Sequence, residues 1–220
     1  MVIHLAHDLR GGPALIIGGG PVAMRKVRRL TAETDAIILS PLFASTDAPA
    51  SYIRTTVTPE SLPGWITRTT PSIVVIATDD HALNQRLEAV ATDAGVLVNR
   101  TTATTRTATG PADPLSVQLP AMAELDGVTV SIATGGASPA LAGYLREQIE
   151  TQHAQAGSMA RLLAELHDEL RGRGVDTAAR RAAMRAVLRS PEVWKGLDTG
   201  VPKARKEADQ VIASTLEEKP

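Results

Sequence analysis

Hydrophobic and polar positions follow two different patterns in the two halves of the chain. In the first half, longer polar or mixed stretches separate continuous apolar runs at residues 15–17, 36–39, 73–77 and 96–99. Runs of this kind are typical of strands that are buried on both faces of a parallel sheet. Residues 83–94 instead carry apolar side chains at helical spacing, and Gly95 follows them as a helix stop. The alternation predicts a doubly wound α/β fold, which binds ligands beyond the carboxyl ends of its strands.

The second half has two short apolar stretches and then only helical patterns. Residues 117–122 and 128–133 flank an Asp126-Gly127 turn signal, which predicts a β-hairpin. Ser138 as N-cap and Pro139 as first helical residue predict a helix to about residue 150, and stripes at helical spacing predict only helices beyond residue 152. A threonine-rich loop at residues 101–109 ends the first domain. We therefore expect a nucleotide-binding domain over residues 1–112, a small α+β region over 113–150 and a helical region over 151–220.

The first apolar run leads into a glycine turn at residues 18–20 and then into a predicted helix. Glycine at Gly18 allows a tight turn, glycine at Gly20 lets the backbone approach a pyrophosphate, and the small Ala23 lets the helix pack on the strand. The N–H groups at the start of the helix favour a phosphate. The turn predicts a Rossmann-like dinucleotide-binding domain, although similar turns also serve structural roles in folds that bind no nucleotide.

The second strand lacks the acidic residue that usually binds the adenosine ribose. It ends in Ser40 and Pro41 instead. A carboxylate grip on the ribose is therefore not expected, and the loop residues Leu42 and Phe43 are the natural substitute. For the same reason the motif does not distinguish NAD from NADP.

Composition narrows the classes of function. The chain has 220 residues, which is enough for a sizeable core, and no cysteine, which excludes thiolate nucleophiles and fits a reducing compartment. A net charge of −1 and five aromatic residues argue against nucleic-acid binding. No apolar segment is long enough to span a membrane and no leader pattern begins the chain, so we expect a soluble cytoplasmic protein. The five histidines show no metal-binding spacing, and we assign no metal ligand.

Several further motifs occur in a consistent order. They are Gly18-Gly19-Gly20 with Val22-Ala23 and Arg25-Lys26, Ala77-Thr78-Asp79-Asp80 with Asn84, Val98-Asn99, Leu119-Pro120-Ala121, and Ser131-Ile132-Ala133-Thr134-Gly135-Gly136-Ala137-Ser138-Pro139-Ala140. Over about residues 5–150 the chain closely resembles the precorrin-2 dehydrogenase family, which forms the dehydrogenase and chelatase part of siroheme synthases. Residues 152–220 correspond to the family's C-terminal helical region in position and character. No methyltransferase domain follows, so the chain resembles the stand-alone form.

The resemblance implies an activity and a set of site residues. It implies NAD-dependent oxidation of the tetrapyrrole precorrin-2 to sirohydrochlorin in siroheme biosynthesis, with ferrous iron insertion in some members. It also implies a homodimer that shares the hairpin region and the C-terminal helices. The cofactor would contact Gly18, Gly20, Pro21 and Val22 at the pyrophosphate, Leu42 and Phe43 at the adenosine, and Thr78 and Asp79 near the nicotinamide. The substrate would contact Asn99, Arg100, Thr134, Gly135, Gly136 and Ser138.

Each of these assignments has a structural alternative. Ser138 can serve only as a helix cap, or it can open the helix end to a substrate carboxylate. The pair Asp79 and Asp80 can simply cap the following helix. Because the substrate carries several carboxylates, cationic side chains are expected near it. The best-placed candidates are Arg100, Arg106 and Arg146, and each can equally be a solvated surface charge.

The chain departs from the family at one important position. In the family an aspartate follows the fifth-strand asparagine after three residues, whereas here Asn99 is followed by Arg100, Thr101 and Thr102. A threonine hydroxyl stays protonated near neutral pH and cannot replace a carboxylate base. Three explanations remain: Asp113 takes over the role as the catalytic acid or base, dehydrogenation needs no base, or the chelatase step has been lost.

Two classes of function therefore remain open. The first is an NAD-dependent oxidoreductase that acts on precorrin-2, with or without iron insertion. The second is a catalytically silent relative that binds NAD and a tetrapyrrole, which the threonine at position 102 motivates. A weaker possibility is an unrelated dinucleotide-dependent dehydrogenase.

Overall fold

The computed structural model describes residues 7–101, 115–135 and 137–217. The chain divides into two compact units, Met1–Leu119 and Pro120–Pro220. The second unit contains both the hairpin and the C-terminal helices, which the sequence assigns to separate regions. The domain bounds at residues 112 and 150 stay a prediction.

The first unit is built on a five-stranded parallel sheet, as the apolar runs predict. The strands lie in the order β3-β2-β1-β4-β5, and a helix follows every strand except β2 and β5. The elements are β1 (Ala14–Ile17), α1 (Pro21–Leu30), β2 (Ala36–Ser40), β3 (Ser51–Arg54), α2 (Leu62–Thr69), β4 (Ile73–Ile76), α3 (His81–Asp93) and β5 (Leu97–Arg100). The doubly wound α/β fold is thus confirmed. Every residue of β1 and β4 is buried, which explains why both strands are continuously apolar.

The two faces of the sheet carry different helices. On one face, Ile16, Ile38 and Val75 pack against Ala23 and Val27 of α1. On the other face, residues of β1, β4 and β5 pack against Leu87 and Ala91 of α3. Because side chains alternate along a strand, Asn99 lies on the α1 face and its neighbour Arg100 on the α3 face.

The sequence does not reveal β3 or α2. The strand β3 lies at the edge of the sheet, and its four residues are half-buried or exposed. It therefore needs no continuous apolar run and gives no strong signal. The helix α2 has only eight residues, of which Leu62 alone is buried, and it contains Pro63 and Gly64.

The register brings the carboxyl ends of the strands to one edge of the sheet. Ile17 of β1 lies opposite Leu39 of β2 and Ile76 of β4, and Ile76 lies opposite Arg100 of β5. The loops that follow these strands therefore begin at the same edge. This is where ligands bind in open α/β sheets.

The second unit consists of a hairpin and five helices among its described residues. The elements are β6 (Ala121–Leu125), β7 (Val128–Ile132), α4 (Pro139–Gln152), α5 (Ala156–Gly172), α6 (Thr177–Arg189), α7 (Pro191–Thr199) and α8 (Val201–Glu217). The hairpin turns at Asp126 and Gly127, both of which have positive φ, at 52° and 93°. Two positive φ angles match the right-handed twist of a tight hairpin, so the turn signal is confirmed.

The predicted start of the hairpin is wrong. The first strand begins at Ala121 rather than at residue 117. Residues 115–117 instead extend along β5, where the N–H of Val117 donates to the carbonyl of Val98 at 2.8 Å. Pro120, which has no N–H to donate, separates the two stretches. The apolar residues at 117–122 thus serve two different sheets.

The helices α5 to α8 enclose a core of their own. Leu162, Leu166 and Leu170 form the predicted stripe on α5, and they pack with Val187 of α6 and Val193 of α7. Residues 173–176 separate α5 from α6, and Ser190 with Pro191 separates α6 from α7. Of the helices described, none is long and apolar enough to cross a membrane.

Candidate active site

The three glycines after β1 differ in what surrounds them. Gly18 has a φ of 114°, and a Cβ at this position would overlap the carbonyl of Ala77 after β4. A Cβ on Gly19 would overlap the carbonyl of Leu42. Gly20 has an ordinary φ of −74°, and a Cβ there would meet no atom within 4 Å. The fold itself therefore requires the first two glycines, whereas the third leaves an open space beside the start of α1.

The N-terminus of α1 is open. Gly20 occupies the N-cap position and has no side chain that could cap the helix, and Pro21 has no N–H. The first N–H that bonds back into the helix is that of Met24, which donates to the carbonyl of Gly20 at 3.0 Å. The N–H groups of Val22 and Ala23 thus have no acceptor within the helix. Together with the open space at Gly20, these donors fit a pyrophosphate.

Two exposed apolar side chains flank this opening. Val22 is 41% exposed and Leu42 is 72% exposed, and they are the exposed large apolar side chains in the described part of the first unit. An adenosine or a dinucleotide backbone would cover such surface on binding. The ring of Phe43 packs edge-on against Tyr52 with 5.2 Å between the ring centroids, and its predicted contact with the adenosine stays a prediction.

No carboxylate ends β2. The hydroxyl of Ser40 donates to the carbonyl of Leu42 at 2.7 Å and so shapes the loop that carries Leu42. Two arginines lie nearby in the fold. Arg28 is paired with Asp47 at 3.0 Å, whereas Arg54, the register partner of Ser40 at the end of β3, forms no ion pair with the described residues.

The loop after β4 is fixed by a buried asparagine. Asn84 of α3 is fully buried, and its amide nitrogen donates to the carbonyl of Thr78 at 2.9 Å. The hydroxyl of Thr78 donates to the amide oxygen of Asn84 at 2.5 Å. Asp80 caps α3, since its carboxylate accepts from the N–H of Leu83 at 2.9 Å, and Asp79 is exposed. The capping alternative thus holds for Asp80, while Asp79 remains available to a ligand.

A chain of hydrogen bonds links α1 to the end of β5. The ammonium of Lys26 donates to the amide oxygen of Asn99 at 2.6 Å, and the amide nitrogen of Asn99 donates to the carbonyl of Val117 at 2.7 Å. Asn99 is only 4% exposed. Burial, helped by repulsion from Arg29 and Arg25, lowers the pKa of Lys26 to about 8.

Arg100 points to the other face of the sheet. Its guanidinium forms an ion pair with Glu88 of α3 at 2.6 Å. This ion pair neutralises the charge of Arg100, which the sequence predicts to bind substrate carboxylates. Arg146, a second candidate, pairs with Glu150 one turn further along α4 at 3.2 Å.

In the second unit, the loop before α4 is closed by its own side chains. The hydroxyl of Ser138 accepts from the N–H of Leu141 at 3.1 Å, so Ser138 does cap the helix. The hydroxyl of Thr134 donates to the carbonyl of Ser138 at 3.1 Å. Gly135 has a φ of 63° and no atom within 4 Å of a Cβ position.

Some predicted site residues lie outside the described residues. They are Gly136, Thr102, Asp113 and the candidate Arg106. Within the described ranges, no three histidine, aspartate or glutamate side chains gather closely enough to hold a metal ion.

Sequence reasoning missed the role of Lys26. In sequence, a lysine that lies among arginines in a helix predicts a solvated surface charge. Its position in the helix could have indicated burial. Lys26 lies three residues after Ala23 and four before Leu30, which are both buried, and this spacing places it at the border of the apolar face of α1.

Known proteins resemble the chain in sequence and fold. The model of a putative NAD(P)-binding family matches residues 5–109. A precorrin-2 dehydrogenase of Methanosarcina barkeri is 28% identical over 97% of this chain and 95% of its own length. A siroheme synthase of Gluconacetobacter diazotrophicus is 35% identical over 72% of this chain, and siroheme synthase 1 of Pectobacterium atrosepticum is 31% identical over 79%. The chain spans only about a third of these two relatives, 33% and 35% of their lengths.

A solved structure has the same fold. The structure of SirC, a precorrin-2 dehydrogenase, superposes with a TM-score of 0.61 over 97% of this chain and 100% of that chain, at 19% sequence identity. The Rossmann-like sheet followed by helices is therefore a known arrangement.

Proposed function

Because this chain belongs to the family of precorrin-2 dehydrogenases and the corresponding part of siroheme synthases, we propose that it oxidises precorrin-2 to sirohydrochlorin with NAD. The observation that carries the proposal is the open end of α1. The space beside Gly20 and the helix N–H groups next to it accept a pyrophosphate in a chain that is similar to a precorrin-2 dehydrogenase over nearly its whole length.

Bound NAD would supply the hydride acceptor, and the chain would supply binding and orientation. The start of α1 holds the pyrophosphate, and Leu42 covers the adenosine. The hydroxyl hydrogen of Thr78 is already donated to Asn84, so this hydroxyl offers an acceptor to the nicotinamide amide. Asp79 stands exposed beside it. Oxidation removes a hydride and a proton from the substrate, and the protein holds the reacting carbon against the nicotinamide.

The proton requires a separate assignment. We assign its acceptance to Asp113, because Thr102 cannot act as a base and Asp113 lies close to it in the sequence. Replacing Asp113 with Asn then lowers kcat at neutral pH and leaves the Kd of NAD unchanged. An unaffected kcat identifies solvent as the acceptor.

Iron insertion is a separate step. Because Thr102 replaces the family aspartate, this step lacks the carboxylate that the family uses for it.

NAD is the proposed cofactor, rather than NADP. Near the end of β2, the guanidinium of Arg28 is neutralised by Asp47. The choice of NAD rests on the resemblance to NAD-dependent precorrin-2 dehydrogenases. Arg54 is the group that a 2′-phosphate would contact if NADP bound instead, because it forms no ion pair with described residues and lies opposite Ser40. Parallel assays with NAD and NADP, and with Arg54→Met, test the choice. A preference for NADP that Arg54→Met abolishes would reverse it.

We also propose a homodimer in the cytoplasm. Leu141, Tyr144 and Leu145 are 48%, 57% and 37% exposed on one side of α4. Their spacing of three and four residues forms a continuous apolar face, which a second copy would cover. Sedimentation of the protein and of Tyr144→Glu tests the dimer, and cell fractionation tests the location.

The decisive assay is anaerobic turnover. Purified protein is mixed with precorrin-2 and NAD, and NADH and the sirohydrochlorin spectrum are followed together. Ferrous iron is added only after the reaction ends. Equal amounts of both products establish the dehydrogenase, and the response to iron decides the chelatase step. If NAD binds and neither product forms, the chain is a silent binding protein.

A further inference from the structure

Lys26 is a half-buried cation that has no counter-ion among the described residues. Its only hydrogen-bond acceptor among the described residues is the neutral amide of Asn99, at 2.6 Å. No carboxylate of the described residues forms an ion pair with it. A buried ammonium without an anion is unfavourable, and a neutral donor would hold Asn99 at lower cost. The charge itself therefore calls for an explanation.

The described residues that surround Lys26 carry no negative charge. On α1 its charged neighbours are Arg25 and Arg29, which repel it. The strands β1 and β4 beneath it carry only apolar residues, and residues 115–119 beside it are uncharged. On β5, Arg100 points to the opposite face and is neutralised by Glu88. The described part of the first unit thus provides no anion for Lys26, and a bound ligand could provide one.

The position of Lys26 suits a ligand at the edge of the sheet. Side chains on a helix lean toward its N-terminus, and α1 begins at the glycine turn, so the side chain of Lys26 rises toward the carboxyl ends of the strands. Its ammonium reaches Asn99, the residue before the last residue of β5. Because Asn99 is also bonded to Val117, its amide oxygen is held in one direction and fixes the ammonium in turn.

We propose that the Lys26 ammonium, held by Asn99, binds a carboxylate of the tetrapyrrole. The proposal rests on the proposed function and gives the substrate site its cation on the α1 face of the sheet. An oxyanion at this point can also come from the dinucleotide. The carboxylate is the better assignment, because the pyrophosphate has its own donors at the start of α1 and Lys26 lies six residues beyond Gly20.

Equilibrium binding tests the proposal without relying on catalysis. The Kd of sirohydrochlorin is measured anaerobically from its absorbance, and the Kd of NAD by calorimetry, for the native protein, Lys26→Met, Lys26→Arg and Arg25→Met. Arg25 is exposed on the same helix, so Arg25→Met removes the same charge as a matched control. Lys26→Met should raise the Kd of sirohydrochlorin about tenfold or more, while the other two variants stay within about threefold. The Kd of NAD should stay within about twofold.

A pH series adds a readout that a structural role would not produce. Because the pKa of Lys26 is about 8, native binding of sirohydrochlorin should weaken between pH 7.5 and 9, as the ammonium loses its proton. Lys26→Arg, which keeps its charge, should show no such decline. Unfolding by denaturant is measured in parallel to verify that each variant is folded.

Three results would overturn the proposal. The first is unchanged binding of both ligands by Lys26→Met. The second is a weaker affinity for NAD alone, which would assign the cation to a phosphate. The third is a parallel loss of both affinities and of stability, which would make Lys26 a structural residue. The proposed oxidation fails separately, if the native protein produces no NADH, and the binding result still decides the role of Lys26.

Discussion

The helices α1 and α4 both begin after a glycine-containing loop, and of these two only α1 is open. At α4, in the second unit, Ser138 caps the helix and Thr134 ties the loop to it. At α1, in the first unit, Gly20 offers no cap and Pro21 no N–H, so the first donors are left for a ligand. A capped helix start is complete without a ligand, whereas an uncapped one next to an open space binds an anion.

The same contrast separates the three glycines of the first turn. A Cβ on Gly18 or Gly19 would overlap the backbone after β4 or β2, whereas a Cβ on Gly20 would meet no atom within 4 Å. The motif therefore combines residues that the fold needs with one that the ligand needs. The motif alone separates the roles of Gly18 and Gly20, whereas the requirement for glycine at position 19 follows only from the structure.

The largest expected effect is the loss of the turn itself. In Gly19→Ala the new methyl group overlaps the carbonyl of Leu42, and in Gly18→Ala it overlaps that of Ala77 at a positive φ. Each variant should lose about 2–4 kcal/mol of unfolding free energy. Denaturant unfolding measures the loss. A stable Gly19→Ala protein would show that the loop after β2 yields easily and that the contact is not required.

Capping α1 should weaken cofactor binding without weakening the fold. Gly20 has the extended backbone that an N-cap serine adopts, with φ at −74° and ψ at 175°. In Gly20→Ser the hydroxyl occupies the helix donors, and the Kd of NAD should rise about tenfold or more, which is about 1.4 kcal/mol. Stability should stay equal or rise by a few tenths of a kcal/mol. Calorimetry and unfolding measure the two effects, and an unchanged Kd would contradict the pyrophosphate site.

Removing the cap of α4 should have the opposite profile. Ser138→Ala removes the acceptor for the N–H of Leu141 and should lower the unfolding free energy by about 1 kcal/mol. The Kd of NAD should not change, because a cap that only completes a helix contacts no cofactor. If Ser138→Ala raises the Kd of sirohydrochlorin at constant NAD affinity, the substrate role predicted for Ser138 gains support over capping alone.

The smallest expected effect is a pH dependence of stability from Lys26. Its folded-state pKa, about 8, is lower than the ordinary lysine value of 10.5, so between these values the unfolded chain binds more protons than the folded one. Stability should therefore rise with pH above 8, relative to Lys26→Met. Between pH 7 and 9 the gain should be below about 1 kcal/mol, since the side chain is partly exposed. Unfolding curves of both proteins at these pH values test the sign, and a native stability that falls relative to that of Lys26→Met as the pH rises would contradict the burial of a charged Lys26.

The sequence predicts the buried parts of the fold best. The strands β1, β2, β4 and β5 are apolar runs because both faces of the sheet are covered, and their pattern is therefore visible. The edge strand β3 is half-exposed and passes unnoticed. Residues 117–122 show the limit of apolarity as a signal, because one run contributes to two sheets and only Pro120 marks the division.

The site is predictable only where a motif has a backbone cause. Gly18 and Gly20 follow from the need for a turn and for an open helix end. In contrast, the pairing of Arg100 with Glu88 and the burial of Lys26 depend on which strand neighbours which helix, and sequence spacing does not give that information. For this reason the sequence favours Arg100 as the cation at the end of β5, whereas in the structure Arg100 pairs with Glu88 and the ammonium of Lys26 contacts Asn99.

The most direct measurement of the central claim is anaerobic turnover of precorrin-2 by the native protein and Gly20→Ser side by side. The native protein should form one NADH for each sirohydrochlorin, and in the variant the kcat/KM for NAD should be at least about tenfold lower. If NADH forms equally fast in both proteins, the open end of α1 is not the cofactor site. If the native protein binds NAD and forms no NADH, the chain is not a dehydrogenase.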